Sequence, residues 1–544
     1  MKIYLISSVV MSVIVGTCVA AEAAGPFYVN GTTGNDANNC TSPVTACETI
    51  QAAVSKAASG DTIIVAAGFY PEGAAGPLTI NKSLTLLGAE AGVDARNPRG
   101  PESVIEDVQG TSISANGVVM DGFTVQGSVF SAFTGFGILM NAGISGTRLV
   151  NNIVQNNIVG IGLANLGAQA FISHNLIQNN NQPGPATGTG IYTDQFVGGP
   201  TVNNVLITEN AFVGHDDAGI DSSNTDFVNG VFNLDIGANS FDSNGRAVVL
   251  FNTHRSNFHD NSVTNSTLAG SAAVRIFDNN TQLTIRNNDL NGGVGHAIRL
   301  NPLFGQANSG VVINENNIGV IGAASYLLTG LTVEPFSHVG TVNAECNWWG
   351  SPTGPLNVPN NPSGGGEEVV GDAVFTPWLL SRAPNGPCLG GVASTPGKVT
   401  GGGQIGSDPV FSPLGDLISL PAFVPSLSSP TGTATFGFVA TCCAPSGNLE
   451  YNDHPSDVRI KAQTVDGLMI SSPGMSCPAT LGSKHATFTG IASVIRSIGT
   501  TTERYTVDVD DCGEPGSADT FGIKTDTYAN GPSPLIGGNI QIHR

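Results

Sequence analysis

Four carboxylates, two guanidinium groups, one imidazole and three aromatic rings stand at related places in the middle of this chain. Asp194, Asp216, Asp217 and Asp221 are hard oxygen donors of the kind that share a Ca²⁺ ion. Arg275, with Arg299 and His215 behind it, is the first choice for a base that removes a proton from the carbon beside a carboxylate. Tyr192, Phe251 and Phe277 offer flat faces that stack on sugar rings. Together they describe a groove for an acidic saccharide, in which the cation neutralises the sugar carboxylate and the base takes its neighbouring proton. The same residues also suit ordinary solvated positions on a repetitive face. Which description holds depends on how the fold gathers them.

A repeat gathers them. Seven times between Leu149 and Ile318 the chain reads apolar, any, any, Asn, any, apolar, at Asn152, Asn175, Asn210, Asn239, Asn261, Asn288 and Asn316. A period of roughly 22 to 35 residues predicts a solenoid, each unit burying its apolar edge on its neighbours. Asp121 stands at the Asn position of an earlier copy. After each copy comes a second short strand, such as Gly190-Ile191-Tyr192-Thr193 or Ala273-Val274-Arg275-Ile276. With its Ile or Val inward, the next residue faces out, and that column reads Gly162, Tyr192, Asp221, Val249, Arg275, Arg299. Two residues further on stand Ala164, Asp194, Ser223, Phe251, Phe277 and Asn301. Asp221 and Arg275 are then two coils apart, about 10 Å. The recurring Asn is expected to turn the chain and stack its amide on the next.

Composition narrows the setting. Charged residues are 11%, aromatics 6%, and the 544 residues include 71 glycines, which suits short strands and tight turns. A net charge of -21 argues against a nucleic-acid partner, which needs a basic surface. Lys2 followed by the apolar Ile3–Val15 run and Ala21-Glu22-Ala23 reads as an export signal, cleaved near residue 23, and places the protein outside the cell or on its surface. Of nine cysteines, Cys18 leaves with that leader. Cys40 is expected to pair with Cys47 and Cys346 with Cys388, while Cys442 and Cys443 each reach Cys477 or Cys512.

The expected organisation is a signal peptide over 1–23, a parallel β-helix domain over 24–380, a Pro/Gly-rich linker over 381–397, and an all-β domain, antiparallel sandwich or barrel, over 398–544. Ile50, Ala53, Val54 and Ala57 recur at helical spacing and predict a short helix covering one open end of the stack. Trp348, Trp349, Phe375 and Trp378 are placed to close the other. No transmembrane span is expected after the leader.

Two stretches carry a resemblance. Gly60-Asp61-Thr62-Ile63-Ile64-Val65-Ala66-Ala67-Gly68-Phe69-Tyr70 with Ile80-Asn81-Lys82-Ser83-Leu84-Thr85-Leu86-Leu87-Gly88, and Asn347-Trp348-Trp349-Gly350 with Phe375-Thr376-Pro377-Trp378, resemble the opening and closing segments of secreted right-handed parallel β-helix proteins of the pectin-lyase-like superfamily. The resemblance covers roughly residues 27 to 382 and implies the fold more than any activity. Gly397-Lys398-Val399-Thr400-Gly401-Gly402-Gly403, Asp511-x-Gly513-Glu514-Pro515-Gly516 and Gly537-Gly538-Asn539-Ile540-Gln541-Ile542-His543 resemble the post-COAP domain of bacterial surface and secreted proteins.

Other clusters are weaker. His254, Arg255, His259 and Asp260 crowd one turn, and Asp508, Asp510, Asp511, Glu514 and Asp519 surround another that could hold Ca²⁺. The hydrolase pattern of the superfamily is not reproduced: Asn224-Thr225-Asp226 and Asp216-Asp217 come in the wrong order with no Gly-His-Gly after them. Two functions remain open. One is a surface or secreted protein that binds extracellular polysaccharide without catalysis. The other is a Ca²⁺-dependent polysaccharide lyase using the Asp/Arg face.

Overall fold

A computed structural model of the chain describes residues 25–543 apart from 73–75, 131–134, 320–325, 385, 391–396, 412–431, 442–445, 466, 472–476, 478–482 and 498. The export signal and Cys442 and Cys443 lie outside the described residues.

Strands of two to eight residues follow one another around a coil and pair in parallel with the same strand of the next coil. Three sheets result: sheet one of 13 strands, from Phe27–Val29 to Ala373–Val374; sheet two of 10, from Gly68–Glu72 to Asn317–Ile318; and sheet three of 12, from Leu78–Ile80 to the Pro355–Leu356 strand. This is a parallel β-helix. Each coil runs through sheets one, two and three in that order, as in Arg148–Val150, Ile153–Gln155 and Val159–Gly162. The apolar residues flanking each repeat Asn, such as Ile207 and Phe212, are all buried in the one continuous core.

The asparagine ladder occupies the turn from sheet one to sheet two, and its members are fully buried or nearly so. From Asn175 onward each side-chain oxygen accepts from the backbone N–H and the Nδ2 of the Asn one coil back, as Asn210 does from Asn175 at 3.0 and 2.9 Å. Asn152, the first of the seven, accepts instead from the Phe123 N–H at 3.0 Å, because the register sets Asp121 against Val150 and not at the Asn position. Each Nδ2 also donates to a backbone carbonyl, Asn210 to Ile172 at 2.8 Å. The amides thus satisfy groups that could not otherwise be buried. Asn347, at the start of the closing segment, is an eighth rung: its Oδ1 accepts from Asn316 Nδ2 at 3.0 Å.

Both ends of the stack are covered. Helix Ile50–Lys56, capped by the Thr49 hydroxyl, buries Ile50, Ala53 and Val54 against the first coils. Trp348, Trp349, Phe375 and Trp378 are buried at the other end. Cys40–Cys47 and Cys346–Cys388 are disulfide-bonded. Cys388 falls inside the segment expected as linker, so its first part is tied to the coil, and Arg382 adds an ion pair to Asp289 at 2.8 Å.

From Lys398 onward one antiparallel sheet of 11 strands curls round a second core. Its longest hairpin joins Lys484–Arg496 to Gly499–Asp511. One expectation fails here. Cys477 pairs with Cys512, because the strand ending at Asp511 brings the two Cα atoms to 5.3 Å, so neither is left for Cys442 or Cys443.

Candidate functional site

Sheet three carries the outward columns in the order expected. The paired register runs Leu139, Gly162, Tyr192, Asp221, Val249, Arg275, Arg299, Thr332 through successive strands. A neighbouring column runs Phe136, Val159, Thr189, Ala218, Arg246. In later coils Ala272 and His296 are paired in the same way. Asp221 and Arg275 therefore share one face with Val249 between them. The two halves of that face differ.

At the early end a small apolar cluster forms outside the coil. Phe136, Ile158 and Val159 are buried there, with Leu139, Tyr192 and Val197 packed against them. The Tyr192 hydroxyl donates to Asp194 Oδ2 at 3.0 Å, and Asp194 Oδ1 caps the following loop through the N–H groups of Phe196 and Val197. Burial and the nearby carboxylates of Asp194, Asp221 and Asp217 hold the Tyr192 phenol above its ordinary range. Asp217 forms an ion pair with Arg246, whose Nε also donates to Ser271 Oγ at 2.7 Å. Asp221 accepts from the Ser223 hydroxyl. Burial, with Asp217 and Asp194 adding like charge, pushes its carboxyl up to about 7. Asp216 is exposed, and its backbone N–H donates to Asn181 Oδ1 at 3.0 Å.

These four carboxylates were expected to share a Ca²⁺ ion. Three of them are engaged by protein donors or a cation. Among the described residues no group of three or more His, Cys, Asp or Glu side chains is arranged to hold a metal ion. The acidic turn of the last domain is engaged likewise: Asp519 accepts from the N–H of Cys512 and of Ile540, both at 2.9 Å, and Asp510 from His485 at 2.9 Å.

His215 faces the other way. It lies fully buried in the turn from sheet two to sheet three, inside a second ladder of Asn157, Asn180, His215 and Asn244. Asn180 Nδ2 faces its Nε2 at 3.2 Å and Asn244 Oδ1 faces its Nδ1 at 2.8 Å. With the Asn180 oxygen already accepting from Asn157, the ring must accept at Nε2 and donate at Nδ1. Burial lowers its pKa to about 4, so it stays neutral. A glycine stands beside the first three of these side chains: a Cβ on Gly137 would meet Asn157 Nδ2 at 2.5 Å, one on Gly160 Asn180 Nδ2 at 2.9 Å, and one on Gly190 the His215 ring at 3.1 Å. That recurring Gly-Ile pair was the sequence signal for the second ladder.

At the late end the face is open. Arg299 donates to Glu334, with Nε at 2.7 Å, and to the Gly270 carbonyl at 2.9 Å. Among the described residues Arg275 makes no ion pair: its Nε is buried without a hydrogen-bond partner there, and its guanidinium lies 5.0 Å from the centre of the Phe277 ring. Burial, with Arg299 and Arg246 nearby, lowers its pKa to about 10. His296 donates or accepts at Thr329 Oγ1, 2.7 Å away, and is lowered to about 4 by burial and by Arg299 and Arg275. Phe251 is 2% exposed, covered by two rings that sequence reasoning missed. Phe227 and Phe304 approach it at 5.7 and 5.8 Å between centroids, and Phe277 at 6.2 Å. Both missed rings sit on loops of unequal length, outside the repeat.

The remaining cluster is self-satisfied. His259 bridges Asp235 at 2.8 Å and Asp260 at 2.6 Å, and His254 bonds Thr281 and Asn252, each at 2.8 Å.

No family model and no curated protein matches this chain. Among solved structures it is similar to a pectate lyase at 15% identity and TM-score 0.34, over 67% of this chain and 81% of that one. It is also similar to a lacto-N-biosidase from Eubacterium ramulus at 12% identity and TM-score 0.33, over 59% and 60%. A rhamnogalacturonan lyase follows at 13% identity and TM-score 0.24, over 65% and 87%. No residue role passes from any of them to this chain.

Proposed function

We propose that this protein binds an extracellular polysaccharide on the late half of sheet three, with an anionic group of the sugar on Arg275. The observation that carries the reading is Arg275 itself. A half-buried guanidinium whose Nε has no acceptor among the described residues is costly, and a bound carboxylate or sulfate supplies the missing partner. The Phe277 ring beneath it, and Phe304 where it packs on Phe251, add flat apolar surface for a sugar ring. Three disulfides accord with an oxidising, extracellular setting. Among the described residues no helix is long and apolar enough to cross a membrane.

The test is calorimetric titration with polygalacturonate, alginate and hyaluronate, in Ca²⁺ and in EDTA. Binding to at least one is expected, with Arg275→Ala weakening it by about tenfold or more. Three polymers that all fail to bind, or an Arg275→Ala variant that binds as well as wild type, would sink the reading.

A second reading has one specific support. A guanidine held near 10 gives up a proton more readily than an ordinary arginine, and that suits the base of a uronate lyase. Arg275 would take the proton from the carbon beside the sugar carboxylate while Arg299 offset the developing charge; the bond from the next carbon to the glycosidic oxygen would then break, a carbon–carbon double bond would form, and the departing oxygen would take a proton from water. The check is ultraviolet absorbance from the unsaturated uronide product, lost in Arg275→Lys. Binding without any such product leaves the first reading alone.

A further inference from the structure

We propose that the acidic turn of the last domain is a built-in seal on the edge of the final strand, and that it keeps this strand from pairing with the same strand of a second copy of the chain. The strand, Gly537–His543, stands at one end of the 11-stranded sheet and pairs on one side only, with Lys398–Gly406. An edge of this kind is a template for a further strand. Here side chains stand where that strand would be. The Ile540 N–H donates to Asp519 Oδ2 at 2.9 Å, and the Ile542 N–H to Asp511 Oδ2 at 3.0 Å. The Ile542 carbonyl accepts from Lys484 Nζ at 2.7 Å. Glu514 Oε1 accepts from Asn539 Nδ2 at 2.9 Å and from Gln541 Nε2 at 3.3 Å. Three carboxylates of one turn therefore engage four successive residues of the strand.

The turn is shaped to lie on the strand. At Gly516 a Cβ would meet Asn539 Oδ1 at 2.1 Å and Asp519 Oδ2 at 2.7 Å, so only glycine lets the two segments come this close. The disulfide from Cys512 to Cys477 holds the near end of the turn. The partner that the seal excludes follows from the register. Ile540 and Ile542 are two residues apart, so an antiparallel copy centred on Gln541 sets each isoleucine against the other. Each such pair exchanges both of its backbone bonds, four in all. The strand reads Gly-Gly-Asn-Ile-Gln-Ile-His, without Lys, Arg, Asp, Glu or Pro, so its own side chains do not resist self-pairing. The resistance comes from the turn.

The experiment is light scattering on the full-length protein over a rising concentration series, with circular dichroism to confirm folding. For Asp511→Ala with Asp519→Ala the apparent mass is expected to double as concentration rises, while the wild-type mass stays level. Asp511→Asn with Asp519→Asn keeps an acceptor oxygen at each donor and behaves as wild type. Residue 541 faces its own copy at the two-fold centre, so adding Gln541→Lys to the alanine pair restores the wild-type mass by like-charge repulsion. In dilute solution the Ile540 and Ile542 amide hydrogens exchange about tenfold faster in the alanine pair than in wild type. Should the alanine pair not fold, Asp511→Ala alone, which frees one donor at a half-buried site, is measured in the same way. A folded variant that keeps the wild-type mass overturns the proposal, and so does a doubling that persists with Gln541→Lys.

Discussion

The early and late halves of sheet three start from the same register and end in different states. Around Tyr192 and Asp221 the outward side chains satisfy one another: phenol to Asp194, hydroxyl to Asp221, Arg246 to Asp217. An apolar cluster at Tyr192 closes the end. Around Arg275 the same columns leave, among the described residues, a guanidinium Nε without an acceptor and the Phe277 ring only half-buried, while Phe251 is covered by Phe227 and Phe304. If the proposed binding to Arg275 holds, a polar face becomes a binding face where its bonds are left unfinished, not where its charges are most numerous. Behind both halves runs the same first asparagine ladder, and the differences can be broken apart from there.

The largest effect is expected where the halves should not differ at all. Asn175 lies behind the early half and Asn288 behind the late one. Each accepts twice from the coil before and donates to a backbone carbonyl, at 2.9 Å to Leu149 and 2.8 Å to Phe258. Asn→Ala at either site strands several buried backbone groups, at about 1–3 kcal/mol each. A loss of about 3–5 kcal/mol is expected at both, read from denaturant unfolding with hydrogen exchange to follow local opening. Unequal losses would mean that the ladder does not bear the same load along the stack.

Next comes His215, which makes the early half the acid-sensitive one. Its folded pKa is about 4 against about 6.5 unfolded, so the unfolded chain binds the extra proton between those values. Stability is therefore present above about pH 6.5 and lost as pH falls towards 4, by up to about 3 kcal/mol. A proton on Nε2 would face the Asn180 amide donor. His215→Asn restores an all-amide ladder and should flatten that acid limb. An unchanged limb in the variant would remove His215 from the account.

Asp221 acts in the opposite sense on the same half. Folded, it keeps its proton up to about pH 7; unfolded, it loses it near 4. The folded chain binds more protons in that window, so stability falls as pH rises through it. Asp221→Asn should gain about 1–2 kcal/mol at pH 8, discounted for the side chain's partial contact with water, and nothing at pH 4. Unfolding midpoints at the two pH values decide it. No gain at pH 8 would show that Arg246 and Ser223 already stabilise the charged form.

How much of this the sequence disclosed follows from periodicity. Strand alternation is a period of two, so a single inward Ile or Val in each coil placed Tyr192, Asp221, Arg275 and Arg299 in one column correctly. The first ladder showed because every rung is Asn. The second was hidden because one rung is His215, which read as a catalytic candidate beside Asp216 and Asp217. Engagement was beyond reach: nothing in sequence spacing pairs Arg246 with Asp217 across 29 residues, or Arg299 with Glu334 across 35. Phe227 and Phe304 were missed because their loops obey no period.

The smallest effect concerns the backbone, where the two halves again become one. The residue before each ladder Asn is left-handed: Asn151, His174, Glu209, Ala238, Asp260, Asn287, Glu315 and Cys346 have φ between 53° and 59°. Asn tolerates that region, whereas Ala has no side-chain oxygen to bond locally and pays the full steric penalty. Ala238 is exposed, so removing its methyl loses no packing. Ala238→Gly should raise stability by about 0.5–1 kcal/mol, the relief of strain being larger than the added chain entropy of glycine. Asn287→Gly, in the late half, should change it by less than about half that. A thermal midpoint that rises for Ala238→Gly and stays for Asn287→Gly would assign the difference to residue type alone. The reverse order would mean that the turn is bent differently in the two halves, and that the shared interior on which the other expectations depend is not shared.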